Sequence, residues 1–200
     1  MNEGLKFVCA ESSGVPILLC PTEAAKFWEG INEPSNGRVI EAHFDLNGPD
    51  GVHVDYDRAC DAADDYVNTI QIGPSQALVF GEEIPTMYWI PSNSFVGGYF
   101  ITWVYLPEDG PPNFRELIEA LPDNSFQETG HSVVCTSQGF LLFPSTHALI
   151  DGEYFESVEI ELPAGEYIAT LGFYETPDTS IRIIKIKRQD SQWTTSTTPS

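Results

Sequence analysis

Val158-Glu159-Ile160-Glu161-Leu162-Pro163-Ala164-Gly165-Glu166-Tyr167 carries the clearest structural signal in the chain. Val158, Ile160 and Leu162 alternate with Glu159 and Glu161, the two-residue period of a strand with one face in a core and the other in water. Pro163, Ala164 and Gly165 then turn the chain, and a return strand is expected from about Tyr167 to Tyr174. The same grammar recurs elsewhere. Tyr99, Ile101, Trp103 and Tyr105 fall on one face of a strand and Phe100, Thr102 and Val104 on the other, a two-sided apolar pattern that predicts burial on both faces. A last strand, Ile181 to Arg188, changes phase at Ile183 and Ile184, which predicts a bulge. Its bases Arg182, Lys185, Lys187 and Arg188 suit an exposed sheet edge.

Helices are few. Asn113 and Glu116 have capping-box spacing, and Phe114, Leu117, Ile118 and Leu121 share one helical face before Pro122 stops the element. A shorter helix is expected from Thr22 to Trp28, entered at Pro21 and left at Gly30, with Ala24, Phe27 and Trp28 turned inward. The fold class is therefore α+β and mostly β.

Two internal similarities point to two antiparallel β-rich halves. Val8, Cys9 and Ala10 followed by Gly14 and Leu18 to Pro21 resemble Val134, Cys135 and Thr136 followed by Gly139 and Leu141 to Pro144, each read as a tight hairpin. Ile70 to Leu78 resembles Ile160 to Ile168 in the same way. The expected organisation is residues 1–107 with an acidic insertion, residues 113–188, and a flexible Ser- and Thr-rich tail at 189–200, with Pro107 to Pro112 as the linker. If the halves repeat, Leu18 superposes on Leu141 and Ile70 on Ile160.

The 200 residues contain 30 Asp and Glu against 9 Lys and Arg, a formal charge of −21, while 42% are hydrophobic. That composition supports a core and not a disordered chain. Such a field repels nucleic acid and anionic membranes and attracts basic proteins. The acids cluster: Asp45, Asp50, Asp55, Asp57, Asp61, Asp64 and Asp65 share one segment with a single base, Arg58. Asp55, as cap, and Asp57, near the positive end of the dipole, suit a helical turn with Tyr56, Ala59, Cys60 and Ala63 on one face. That accounts for two of the acids and leaves an excess available for binding.

No secretory signal is expected from Lys6 and the short apolar run Phe7 to Ala10, and no apolar stretch reaches the length of a spanning helix. The expected location is the cytoplasm. Cys9, Cys20, Cys60 and Cys135 are too widely spaced for a CxxC motif and are read as reduced, buried thiols. His43 with Asp45, and His53 with Asp55 and Asp57, offer metal ligands in principle, yet their spacing around Gly48 and Gly51 matches no metal motif, so no metal or cofactor is expected. Gly73-Pro74-Ser75 looks like part of a nucleophile elbow but leads into a strand where that motif requires a helix. No phosphate- or dinucleotide-binding fingerprint occurs. Trp28, Tyr88, Trp89, Tyr99 and Trp103 would line the platform of a carbohydrate- or other ligand-binding β-sandwich module if they were exposed, and Trp28 and Trp89 mark a secondary candidate surface.

Asp55 to Cys60, then Asp65, Tyr66, Val67, Ile70, Ile72, Gly73, Gln76 to Glu82, Pro85 and Thr86, resemble the central signature of the immunity protein 21 family of bacterial polymorphic toxin systems. Leu18, Leu19, Pro21, Phe27 and Trp28 resemble its opening, and Leu162 to Tyr167 its closing hairpin. The resemblance covers most of residues 7–188, while 32–54 and the tail after Arg188 fall outside it. It implies an intracellular antitoxin that binds a cognate toxin protein without catalysis. Many such toxins attack nucleic acids through basic clefts, which an acidic surface at Asp45, Asp50, Asp55, Tyr56, Asp57, Asp61, Asp64 and Asp65 would complement.

Overall fold

The computed structural model describes residues 8–12, 14–31, 54–81, 86–107, 112–137, 139–147 and 157–189. In chain order they form β1 (Val8–Glu11), β2 (Ile17–Pro21), α1 (Asp55–Ala62), β3 (Val67–Ile72), β4 (Ser75–Phe80), β5 (Thr86–Pro91), β6 (Gly97–Tyr105), α2 (Phe114–Glu119), β7 (Phe126–Cys135), β8 (Phe140–Pro144), β9 (Val158–Ile160), β10 (Gly165–Thr176) and β11 (Thr179–Arg188). All strand pairs are antiparallel. One six-stranded sheet has the order β1-β5-β6-β11-β10-β7, and a five-stranded sheet the order β3-β4-β2-β8-β9. The protein is α+β and mostly β, as its alternation predicts.

Three apolar layers follow from that order. Leu19, Phe80, Phe100, Phe140, Tyr167 and Ile184 fill the space between the sheets. Leu18, Ile70, Val79 and Phe143 on the outer face of the five-stranded sheet pack under Ala59 of α1 and Trp28. Ile101, Ile181 and Ile183 on the outer face of the six-stranded sheet pack under Phe114 and Ile118 of α2. Central strands are thus covered on both sides, and they read as apolar on both faces.

This layering corrects the reading of β11. The strand lies in the middle of its sheet, between β6 and β10. Ile183 and Ile184 show no phase change, because each supplies a different buried layer. The register shift lies instead between Ser180 and Ile181 against β6. Lys185 and Lys187 sit above aromatic rings, Lys185 over Phe95 and Phe126 and Lys187 over Phe95, with their charged ends at the surface.

Asn113 caps α2 as its spacing predicts, its side chain accepting the Glu116 N–H at 3.4 Å. The expected helix at Thr22 to Trp28 shrinks to one 3-10 turn, Ala25–Phe27. Ala24 and Trp28 are buried there, whereas Phe27 turns outward and covers the Gly73 turn of the β3–β4 hairpin. Trp28 is fully buried, with Nε1 donating to the Ser145 carbonyl at 2.9 Å, and Trp89 packs in the inter-sheet core against Phe100. The secondary candidate surface at Trp28 and Trp89 is therefore core. Of the four cysteines, Cys20 and Cys135 are buried, while Cys9 and Cys60 are partly exposed free thiols.

The expected halves each contribute strands to both sheets. β1 and β7 occupy opposite edges of the six-stranded sheet, β6 meets β11 at its middle, and β2 meets β8 in the other sheet. The β2–β8 ladder is centred on Leu19 opposite Leu142, so a twofold axis through that pair carries Leu18 onto Leu141. Both residues face the outer layer. The second similarity does not follow the same axis. Strand order places β9 opposite β4, and Ile70 faces the outer layer while Ile160 faces the inter-sheet layer. The tight hairpins expected at 8–21 and 134–144 are corners between sheets, since β1 and β2, like β7 and β8, belong to different sheets. Pro163-Ala164-Gly165 likewise carries the chain from one sheet to the other.

Candidate functional site

The acidic segment divides into parts with different jobs. Asp45 and Asp50, with His43 and His53, lie outside the described residues. Asp55 and Asp57 help build α1. Val54 is the cap residue and has no polar side chain, so Asp57 reaches back and accepts the Val54 N–H at 3.1 Å. The helix starts at Asp55, which corrects the expectation that Asp55 caps it. The Asp55 carboxylate accepts the Glu29 N–H at 2.9 Å and pairs with Arg58 at 2.5 Å. Arg58 also donates to the Gln71 carbonyl on β3, tying the helix to the sheet. Asp57 is buried and unavailable to a partner.

Asp61, Asp64 and Asp65 are exposed at the C-terminal end of the same element. A negative charge at a helix C-terminus opposes the dipole, so these acids gain the helix nothing through it. Tyr56 is half-buried and hydrogen-bonded to Cys60 one turn on. Burial first, then that bond and the nearby Cys60 and Asp57 charges, push its hydroxyl up to about 12. Burial also pushes the Cys60 thiol up, as do Asp57 and Asp61, against the opposing effect of the Tyr56 bond.

The turn after α1 is positioned by close backbone approach. Gly81 lies so near Ala63 and Asp65 that a β-carbon there would sit 2.2 Å from the Ala63 carbonyl oxygen. The Gly81 carbonyl accepts from Arg182 Nη1 at 2.9 Å, and the Arg182 guanidinium lies 4.1 Å from the centre of the Tyr66 ring. Tyr66 in turn meets Phe173 edge to face at 5.3 Å. Reading the sequence for charge missed Phe173 and this use of Arg182. The signal was present: Arg182 sits at a core-facing position between Ile181 and Ile183, where a base needs a partner.

Among the described residues no group of three or more His, Cys, Asp or Glu side chains is placed to hold a metal ion. None of the described helices is long and apolar enough to cross a membrane. Gly73 and Pro74 form the two-residue turn between β3 and β4. The aromatic residues considered for a sugar platform are buried or half-buried, with Tyr88 stacked on Trp103 at 5.0 Å in the α2 layer.

Fold and site together describe an acidic antiparallel β protein that turns its aromatic side chains largely inward and exposes three carboxylates at one helix end. The chain belongs to the family described as immunity protein 21, whose sequence model matches residues 8–180. Nothing among curated proteins or solved structures matches it. Family membership makes the chain an immunity protein and implies a toxin as its partner.

Proposed function

We propose that this immunity protein acts in the cytoplasm by occupying its toxin, without catalysis, and that the toxin presents a basic surface of the kind used to bind nucleic acid. One observation carries the reading: Asp61, Asp64 and Asp65 are exposed together at the end of α1 where negative charge opposes the helix dipole, on a chain of net charge −21. Clustered like charges cost stability unless solvent or a partner offsets them, and they accelerate encounter with an oppositely charged protein. Asp55 and Tyr56, partly exposed at the start of α1, join this candidate surface, and the buried Asp57 is excluded from it.

The test is kinetic. Toxin encoded by the neighbouring gene is immobilised, and wild type is compared with the Asp61→Lys, Asp64→Lys, Asp65→Lys triple variant. Association is expected to slow about tenfold or more at low salt, while melting temperature stays nearly unchanged because the three sites are exposed. Equal association rates would remove the acidic surface from the interface, and absence of binding by wild type would refute the toxin-binding reading itself.

A further inference from the structure

We infer that the partner's apolar anchor seats at one open end of the sandwich, on Phe173 and the Tyr66 ring behind it, beside Val104 and Tyr105. This rests on the toxin-binding reading and names the part of the interface that holds the complex together. Alternation places Phe173 on the core-facing side of β10, in series with Tyr167, Ala169 and Leu171. Yet β3 begins only at Val67, and Phe173 is 44% exposed with Tyr66 against its ring. The next strands extend the surface. Phe173 is the register partner of Arg182, and Arg182 of Thr102; both are buried, so they form the floor between Phe173 and the end of β6. Two residues further on, β6 carries one extra residue between the pairs Trp103–Ile181 and Tyr105–Ser180, which leaves Val104 outside the ladder and 74% exposed. Tyr105 is also exposed, and its hydroxyl donates to the Thr176 carbonyl near the tip of the β10–β11 hairpin.

Single exposed apolar residues are ordinary, but an apolar group beside a cluster of charge marks an interaction surface. Tyr66, which meets the Phe173 ring, directly follows the exposed Asp64 and Asp65 in the chain, so the aromatic pair adjoins the acidic end of α1. Glu175 adds a further exposed acid two residues beyond Phe173. An apolar centre with an acidic border complements a protein surface that offers one aliphatic or aromatic side chain among lysines and arginines. A second copy of this chain is a poor occupant, because two molecules of charge −21 repel. Steering by the acids sets the association rate, and desolvation of the aromatic pair sets the lifetime.

Val104→Asp and Phe173→Ala are compared with wild type on the same immobilised toxin, with the melting temperature of each recorded. Both variants are expected to dissociate roughly tenfold faster or more. Val104→Asp controls for folding, since its site is exposed and outside the ladder. Dissociation within twofold of wild type for stably folded Val104→Asp and Phe173→Ala would overturn the anchor and leave toxin binding standing. A wild-type chain that binds no toxin would overturn both. A concentration-dependent wild-type dimer that Val104→Asp abolishes would assign the surface to a second copy and also overturn the proposal.

Discussion

Gly81 has no room for a side chain, because its neighbours are backbone carbonyls of Ala63 and Asp65 and not the ends of flexible side chains. Gly81→Ala is therefore expected to destabilise the fold by about 2–3 kcal/mol, visible as a lower midpoint in urea. A second single-residue effect concerns Glu23. Its carboxylate accepts the Thr136 N–H at 2.8 Å and the Thr136 and Ser137 hydroxyls at 2.6 Å, fastening the corner after β7. Burial raises its pKa, but the Ser137 and Thr136 bonds win and hold it at about 2, below its ordinary 4.5. A folded pKa below the unfolded one stabilises above pH 4.5 and ceases to do so as pH falls from 4.5 towards 2. Because solvent screens this site, Glu23→Gln should cost about 1 kcal/mol at neutral pH. Its stability difference from wild type should close near pH 2, which denaturation curves across that window would check.

Elements show how local chemistry can be right in kind and shifted in place. Asn113 announces α2 because the capping side chain and the Glu116 N–H it accepts lie within four residues. At α1 the first acid, Asp55, looks like the cap, yet its carboxylate is drawn to Glu29 and Arg58 and the capping falls to Asp57. The competing partner, Glu29, lies 26 positions away and is invisible to a local reading. Asp57→Ala should lower stability by about 1 kcal/mol and reduce helical ellipticity slightly. In the corresponding turn at Pro163 to Gly165, the residues specify a reversal but not whether the next strand pairs with the last one or enters the facing sheet.

On the scale of the whole molecule, a charge of −21 acts on the free protein and on the encounter in opposite senses. Added salt screens self-repulsion within the folded chain, so melting temperature should rise between about 0.01 and 0.3 M NaCl, over which the Debye length falls from about 30 Å to below 8 Å. Association with the toxin should slow over the same range. A melting temperature independent of salt would show that the charges are too far apart in the fold to oppose it.

Alternation at Val158 to Leu162, the two-sided strand from Tyr99 to Trp103 and the capped helix after Asn113 were legible because each depends on residues a few positions apart. So were the β-rich class, the family signature and the acidity of the segment around Asp61. Val104 and Tyr105, expected to be buried on either face of that strand, are instead exposed where the β6–β11 register shifts. Folding settled what depends on distant partners: that β11 is central, that Trp28 and Trp89 are buried, and that Asp57 turns inward while Asp64 and Asp65 remain exposed. It also brought Tyr66, Phe173 and Arg182 into one contact from positions more than a hundred residues apart. A side chain's period is written along the strand, whereas the strand it pairs with and the layer it faces are chosen by the packing of the entire chain.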